Sequence, residues 1–252
     1  RAVGTWGPRT LSGAADAAPS SQSLPFGTVT RLALMDTASG RQLDTAIVDL
    51  LGVLAYGELI AFERLAVDAQ LAPSVADKIA LATMANAEFN HFRQLRDHRG
   101  SRGADPLAAM APFIEPLDRF HDSTEPSDWY EGLIKAYVGD GMATDFYREV
   151  ATYVQDDETR ILIQEVLADT GQASFAVARV KEIIAEEPSV AGRLALWARR
   201  LVGEALIQAQ QVAVERDALL ELLVGSGDLA GIMMLLKSIT DKHEERMAAL
   251  GL

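Results

Sequence analysis

Glu88 and His91 stand three residues apart in the stretch LATMANAEFNHFRQL, residues 81–95. On a helix, positions three apart lie on the same face, about one turn from each other. The apolar residues of the stretch recur at helical spacing and place both side chains on the inward face. A carboxylate and an imidazole buried together are explained by a metal ion, because an unpaired buried charge is strongly unfavourable. The spacing alone is a weak signal, and its weight depends on what the other helices place opposite it.

Three further acids lie at inward positions of predicted helices and at matching intervals. Glu58 precedes Glu88 by 30 residues, and Asp140 precedes Asp169 by 29. The chain therefore contains one pattern twice, an acid on a first helix followed by an acid-x-x-polar pair on a second. The local sequences also align: GELIAFE at 57–63 with GDGMATD at 139–145, and AEFNH at 87–91 with ADTGQ at 168–172.

Two helical hairpins joined by a long crossover are the plan of a ferritin-like four-helix bundle. A capping box of Ser74 and Asp77 is predicted to open the second helix. The crossover holds four prolines and is expected to run along the bundle with short helical pieces. Hydrophobic periodicity predicts the four helices over about residues 43–69, 75–99, 127–154 and 158–185, with the crossover over 100–126.

The predicted fold class is all-α: a ferritin-like four-helix bundle of two helical hairpins with a long crossover, plus two C-terminal helices. Residues 1–40 are rich in Ala, Ser, Gly and Pro without periodicity and are predicted to be a flexible leader. His243, in the charged run DKHEER, is predicted to lie at the surface. The predicted single domain covers 41–252, with the core bundle over 43–186 and the additional helices over 189–250, the first of them ending near Val224.

The composition of the chain disfavours some classes of function and excludes others. The 252 residues carry 36 acidic against 23 basic side chains, a net charge of −13 that repels the phosphates of nucleic acids. Cysteine is absent, so the chain has no disulfide, thiolate metal site or cysteine nucleophile. No apolar run is expected to reach the length of a membrane span, and the start of the chain shows no secretory signal. We expect a soluble cytoplasmic protein.

The four acids are predicted to converge at one level of the bundle core. Four ionised carboxylates repel each other strongly in a low dielectric, and two divalent cations would neutralise them. Carboxylate and imidazole ligands with open positions suit iron or manganese that activates dioxygen. The alternative interpretations are neutralisation by Arg64, Arg93 or Lys135, protonation of the acids themselves, or an error in the helical phasing.

The most specific stretches of the two hairpins are LLGVLAYGELIAFERLA, MANAEFNHF, KAYVGDGMATDFYREV and EVLADTGQASFAVARV. They resemble the ferritin-like di-iron proteins, and within them the actinobacterial group related to the tRNA isopentenyl-adenosine hydroxylase (MiaE-type). The resemblance covers about residues 44–224. It implies that Glu58 is a terminal or bridging ligand, Glu88 a bridging ligand and His91 the imidazole of the first metal. It also implies that Asp140 and Asp169 are the carboxylates of the second half-site.

The second half-site departs from that family pattern. Gln172 stands where the family has His, and an amide oxygen is a much weaker ligand for iron than imidazole. Asp140 and Asp169 are one methylene shorter than Glu and reach less far inward. The second metal is therefore expected to bind weakly, to need a substitute ligand such as Glu165, or to be absent.

Two tyrosines, Tyr56 and Tyr137, stand close to the acids in the sequence. One interpretation is that they hydrogen-bond the metal ligands. The other is that they are core aromatics with a hydroxyl at the rim. The sequence gives the two interpretations equal weight.

The leading functional prediction is an oxidoreductase of the hydroxylase type, which the resemblance implies. Its expected cofactor is iron, two ions or one if the second position is lost, with manganese as an alternative, and it needs an electron donor. The substrate is a small molecule or a modified base; the resemblance implies tRNA, which the net charge disfavours.

A second hypothesis is a non-catalytic ferritin-like scaffold or binding protein, and Gln172 favours it. Iron storage is a third hypothesis, which the additional C-terminal helices disfavour because a storage cage does not require them. Long helices rich in Ala and Leu also indicate a homodimer. No membrane partner is expected.

Overall fold

A computed structural model describes residues 26–101, 105–168, 172–217 and 229–252. These residues form α-helices joined by turns and short 3-10 segments, and no strand occurs among them. The prediction of an all-α protein is therefore confirmed. The chain separates into two units, Arg1–Ser39 and Gly40–Leu252, and the packing described below is that of the second unit.

Eight α-helices lie in the part of the chain that the structure describes. Two 3-10 segments, Ala69–Leu71 and Pro188–Val190, follow the first helix and precede the seventh. The helices are α1 Phe26–Asp68, α2 Val75–Ser101, α3 Pro106–Ser123, α4 Trp129–Ala151, α5 Asp157–Val166, α6 Gln172–Glu186, α7 Ala191–Glu215 and α8 Leu229–Leu250.

Side-chain caps fix where several helices begin. The backbone N–H of Asp77 donates to the hydroxyl of Ser74 at 3.1 Å, in agreement with the predicted capping box at α2. Aspartates cap three later helices by accepting from backbone N–H groups of the first turn: Asp105 at α3, Asp128 at α4 and Asp156 at α5. The helix macrodipole also favours a carboxylate at these positions. Part of the acidic composition therefore serves to start helices.

The crossover is a single helix of 18 residues, longer than the short pieces predicted for it. Hydrogen bonds from Tyr56 to Asp118 and from Arg64 to Asp122 place α3 beside α1 and parallel to it. Two of the four prolines lie inside α3. Each removes one backbone donor, but packing against a neighbouring helix supplies more helical stability than propensity does. The crossover therefore returns along the bundle and forms part of its interior.

Helix α4 runs antiparallel to α1 and lies at the centre of the described packing. The Tyr147 hydroxyl lies next to Gly57, and the Asp68 carboxylate lies next to Gly132, so the two helices advance in opposite directions. Helix α4 also packs against α5, α6, α7 and α8. The C-terminal helices therefore pack against the same central helix, α4, as the first hairpin does.

The predicted fourth helix, about residues 158–185, is broken in the structure. Helix α5 ends at Val166, and α6 begins at Gln172. The backbone N–H of Leu167 bonds to the carbonyl of Ile163, which closes the last turn of α5. Thr170 and Gly171 stand in the interval, and both residue types have low helix propensity. The prediction of one continuous helix was therefore wrong, and residues 169–171 lie outside the described residues.

Helix ends also differ from the predictions elsewhere. Helix α1 begins at Phe26, so residues 26–40 of the predicted leader are helical, and residues 1–25 lie outside the described residues. Helix α7 ends at Glu215 rather than near Val224. The predicted last helix corresponds to α8.

One stretch of the described residues, Thr45–Leu71, has the length and composition of a membrane span, with a mean hydropathy of 1.7. The expectation that no such stretch exists was therefore wrong. Half of its most apolar window is buried inside the protein. The central helix of a bundle passes the same test, because it buries apolar residues against several neighbours.

Two apolar clusters fill the interior of the unit Gly40–Leu252. The first joins the middle of α1 to the later parts of α2 and α4, and to α3 and α5. The second joins the end of α1 to the earlier parts of α2 and α4, and to α6, α7 and α8. The clusters meet on α1 between Ala55 and Leu65, and on α2 between Ala85 and Phe92. The interval between them holds the polar side chains described next.

Candidate metal centre

Glu58, Glu88 and His91 converge in the interval between the two apolar clusters. Nδ1 of His91 lies 3.3 Å from Oε2 of Glu58 and 3.7 Å from Oε2 of Glu88. One ligand atom from each residue lies within 4.8 Å of the other two. The three side chains are between 9% and 15% exposed. Two carboxylates and an imidazole at this spacing form a donor set that suits one divalent ion such as iron or manganese.

Two antiparallel helices position the three donors. Helix α2 presents Glu88 and His91 one turn apart, and α1 presents Glu58 opposite them. Small residues flank the acids and leave space beside them, because they carry at most one side-chain carbon. Those that line this space are Gly57 and Ala61 on α1 and Gly139 and Ala143 on α4.

The charges of the three residues are tightly coupled. Burial raises the pKa of Glu58 well above its usual value, against the opposing hydrogen bond from His91. Burial also acts to raise the pKa of Glu88, but hydrogen bonds with His91 and Glu58 outweigh it and the pKa is lowered. Hydrogen bonds to both glutamates raise the pKa of His91 to about 10. Without a metal, burial therefore favours the protonated form of Glu58, and the two glutamates favour the charged form of His91.

A first cavity of about 150 Å³, here called the apolar cavity, lies beside Glu58 and Glu88 between α1, α2, α3 and α4. It follows α1 from Glu58 to Asp68, a distance of about 15 Å at 1.5 Å per residue. The side chains along it include Leu65, Met84, Leu117 and Phe120, and the polar groups towards Asp68 are Arg64, His121 and Lys135. A small molecule in this cavity would have an apolar environment beside the three converging donors.

A second cavity of about 240 Å³, here called the polar cavity, lies on another side of the same three donors. Arg246 of α8 enters it, pairs with Asp145 and donates to the Gly141 carbonyl at 2.7 Å. Nζ of Lys242 lies 3.1 Å from the other oxygen of Asp145, and Arg148 also lines the cavity. Basic side chains therefore face the side of the centre where a second metal was predicted.

Of the predicted second half-site, the structure describes the side chains of Asp140 and Glu165. Asp140 was predicted to be buried, but it is exposed on α4, lines both cavities and lies outside the group of three donors. Glu165 is exposed on α5 and lines neither cavity. Asp169 lies outside the described residues, and the side chain of Gln172 is not among those described. Ligand roles for these residues stay predictions.

The tyrosines have different surroundings from one another. Tyr56 donates to Oδ1 of Asp118 on α3 at 2.6 Å, so its hydroxyl bonds an acid of the crossover rather than a predicted ligand. Tyr137 is half-buried and lines the polar cavity, and burial raises its pKa. A third tyrosine, Tyr147, is buried beside Gly57. Burial, and then the charge of Glu58, raise the pKa of Tyr147.

Sequence reasoning also missed the roles of charged groups on α4 and α8. Arg246 and Asp145 were not among the predicted site residues, because the packing of α8 on α4 leaves no local pattern. His243 was predicted at the surface but is buried, and burial lowers its pKa. Neither of its ring nitrogens has a hydrogen-bond partner among the described residues. Within the charged run DKHEER, His243 is therefore turned inward, whereas Asp241, Glu244 and Glu245 are exposed.

A family model described as a ferritin-like domain of actinomycetes matches residues 41–226. That range contains the three converging donors and both predicted hairpins. No curated protein matches the chain.

Proposed function

The chain belongs to the ferritin-like domain family of actinomycetes, and on this premise we propose that it is a metal-dependent oxidoreductase of the hydroxylase type. The predicted ferritin-like fold class is confirmed, and the ferritin-like superfamily includes di-iron oxygenases. The narrower relation to the tRNA hydroxylase group is part of the proposal. Iron is the proposed metal, with manganese as the alternative, and Glu58, Glu88 and His91 are its proposed ligands.

The convergence of Glu58, Glu88 and His91 is the observation that carries this proposal. Buried carboxylates are normally paired or bound to a metal, because removing a charge from water is strongly unfavourable. The described residues place no Arg or Lys within ion-pair distance of Glu58 or Glu88. In the part of the chain that the structure describes, His91 is the one positive charge within that distance, and it is itself a good metal ligand. The donor set therefore fits a divalent ion better than it fits a structural ion pair.

The residues around the centre position the metal ion and the substrate. When bound, iron supplies dioxygen activation: one oxygen atom enters a substrate C–H bond, the other leaves as water, a separate redox protein provides two electrons, and solvent provides two protons. Glu58, Glu88 and His91 hold the ion between the two apolar clusters. The apolar cavity holds the substrate beside them, with mostly apolar side chains around the reacting carbon.

We propose one ion per chain. Arg246 introduces a cation into the polar cavity, where a second ion would need carboxylates, and like charges at short distance repel strongly when partly buried. Burial lowers the pKa of Arg246, whereas Tyr137 and Asp140 favour its charged form. Gln172 also favours one ion per chain, because the sequence has an amide where a second metal would need an imidazole.

A non-catalytic ferritin-like scaffold or binding protein is the second candidate. Arg246 in the polar cavity and Gln172 in the sequence favour it, since each departs from a complete di-metal centre. Such a protein would fold stably without metal. Metal content therefore separates the two candidates.

The proposed function also includes a substrate, a cellular location, an oligomeric state and an electron donor. The net charge of −13 disfavours tRNA, so we propose a small-molecule substrate. A cytoplasmic location and a homodimer are proposed from the sequence. An oxygenase also needs an electron donor, which we propose to be a separate redox protein.

Metal analysis of the purified chain, reconstituted with ferrous iron without dioxygen, tests the proposal. We expect about one iron per native chain, and less than about a tenth of that in Glu58→Gln and His91→Gln, because each removes one of only three donors. His98→Gln is the matched control: His98 lies on α2 and contacts Thr159 at 3.1 Å, away from the centre. Its iron content should equal that of the native chain.

Exposure of the iron-loaded chain to dioxygen then separates catalysis from binding. An absorbance change that requires both iron and dioxygen supports the oxygenase. A native chain that is folded by circular dichroism but takes up no iron contradicts the proposal and supports the scaffold. Equal iron content in the native chain and both ligand variants contradicts the assignment of the ligands.

A further inference from the structure

The apolar cavity connects the candidate metal centre to a second group of polar side chains, here called the basic end, formed by Arg64, His121 and Lys135. We propose that the basic end binds the carboxylate of a small amphipathic substrate whose hydrocarbon part fills the apolar cavity. This inference rests on the proposed function, because it places the carbon to be oxidised at the Glu58 end. It adds the chemical class of the substrate.

Buried polar nitrogens at the basic end lack hydrogen-bond partners among the described residues. Nε of Arg64 and Nδ1 of His121 are buried, and neither has a partner among the described residues. Nζ of Lys135 donates to the Thr124 carbonyl at 2.7 Å and weakly to the His121 carbonyl at 3.4 Å, which leaves a third ammonium N–H. Buried donors without acceptors are uncommon in native proteins. A carboxylate accepts several hydrogen bonds at once and would satisfy this group.

The charges of the basic end favour an anion. Lys135 is buried, and burial lowers its pKa to about 8, so it remains a cation at neutral pH. Asp68 is the one acid among the described residues that lines this end of the cavity. Glu125 and Asp122 also act on Lys135, but both are exposed, so solvent screens their charges. Arg64 pairs with Asp122 at 3.3 Å, but the Asp122 side chain is 74% exposed, and exposed pairs contribute little. Burial, with the charges of Lys135 and Arg64, lowers the pKa of His121 to about 3, so the imidazole is neutral.

The dimensions of the cavity limit the substrate. An apolar cavity of about 150 Å³ holds roughly one six-membered carbon ring. The ring of Phe120 lines the cavity, with Nζ of Lys135 5.8 Å from its centroid. A short fatty acid or an aromatic acid of about six to eight carbons therefore fits, with its carboxylate at the basic end and its far carbon near Glu58. A modified purine attached to tRNA is larger than this volume.

Calorimetric titration of the iron-loaded chain without dioxygen tests the inference, with hexanoate, the neutral isostere hexanamide and the cation hexylamine as probes. We expect hexanoate to bind the native chain at least about tenfold more tightly than hexanamide, since charge-assisted hydrogen bonds are about twice as strong as neutral ones. Lys135→Met and Arg64→Gln should each reduce this preference at least about threefold. Lys237→Met should retain it, because Lys237 is exposed on α8 and pairs with Asp241.

Several results would overturn the inference: equal binding of hexanoate and hexanamide to the native chain, tighter binding of hexylamine, or an undiminished preference in both basic-end variants. If Lys135→Met does not fold, Arg64→Gln carries the test, because Arg64 is only half-buried. Iron content is measured on the same samples. An iron-loaded chain without the preference contradicts this inference alone, whereas a chain that prefers hexanoate but binds no iron contradicts the proposed function alone.

Discussion

Nδ1 of His91 on α2 lies 3.3 Å from Oε2 of Glu58 on α1, across the first hairpin of the bundle. Both side chains are largely removed from solvent, and the interval that contains them separates two apolar clusters. The contact joins two residues whose pKa values are both raised, Glu58 by burial and His91 by hydrogen bonds to the two glutamates. Stability and metal binding are therefore linked at this contact, and each can be measured by changing one partner.

Glu58→Gln is expected to stabilise the metal-free chain. Burial raises the pKa of Glu58, so the metal-free folded chain takes up a proton that the neutral amide does not need. We expect a gain of about 1 kcal/mol in the free energy of unfolding by urea at pH 7. Added ferrous iron should raise the Tm of the native chain but not that of the variant. Glu63→Gln, at an exposed position of α1, is the control and should change neither quantity. A metal-free variant less stable than the native chain would contradict the protonated state of Glu58.

Arg246→Met is expected to increase the affinity for a second divalent ion. The change removes a cation from the polar cavity and frees one oxygen of Asp145, which stays close to Lys242. Manganese titration followed by electron paramagnetic resonance should give about one ion for the native chain and more than one for the variant. Arg160→Met, which removes an exposed pair with Asp157, should behave as the native chain does. An unchanged stoichiometry would show that Arg246 does not limit metal binding.

Gly52→Ala is expected to destabilise the protein by separating α3 from α1. A Cβ at Gly52 would overlap the backbone carbonyl of Ala109, and backbone atoms cannot move aside as a flexible side chain can. We expect a loss of about 1–3 kcal/mol in the free energy of unfolding. Gly203→Ala is the matched control, because nothing lies within 4 Å of the Cβ it adds, and the change should stabilise α7 by up to about 1 kcal/mol. Equal effects of the two variants would contradict the close approach of the two helices.

His121 is expected to make the folded chain sensitive to acid. Its pKa is lowered to about 3 from a usual value of 6.5, first by burial and then by the charges of Lys135 and Arg64. Between these values the unfolded chain binds a proton that the folded chain does not. The contribution of His121 to stability is therefore complete above pH 6.5 and is lost as the pH falls towards 3, at up to about 1.4 kcal/mol per pH unit.

Urea unfolding at pH 7.5, 6.5, 5.5 and 4.5 measures this dependence. His121→Gln should unfold with a shallower loss of stability between pH 6.5 and 4.5, since its side chain does not titrate. Parallel pH profiles for the native chain and the variant would show that His121 is protonated in the folded state as readily as in the unfolded one.

Much of the helical plan was available from the sequence, and its errors have physical causes. The capping box of Ser74 and Asp77 fixed the start of α2 because capping is a local interaction. The length of the helix in the crossover was underestimated because prolines disfavour a helix locally. In the folded chain the buried face of this helix is stabilised by packing on α1. The length of the fourth helix was overestimated because the hydrophobic periodicity continues across Thr170 and Gly171, although both residue types have low helix propensity.

The shared helix face of Glu88 and His91 could be predicted from the sequence, since one turn of helix is a local property of the chain. The sequence also indicated that Glu58 would oppose them, because a hairpin pairs the two helices on either side of a short turn. Only the tertiary structure decided what approaches the centre from the rest of the bundle. Arg246 stands 105 positions beyond Gly141, whose carbonyl it binds, and packing between such distant helices depends on shape and buried area rather than on any local pattern.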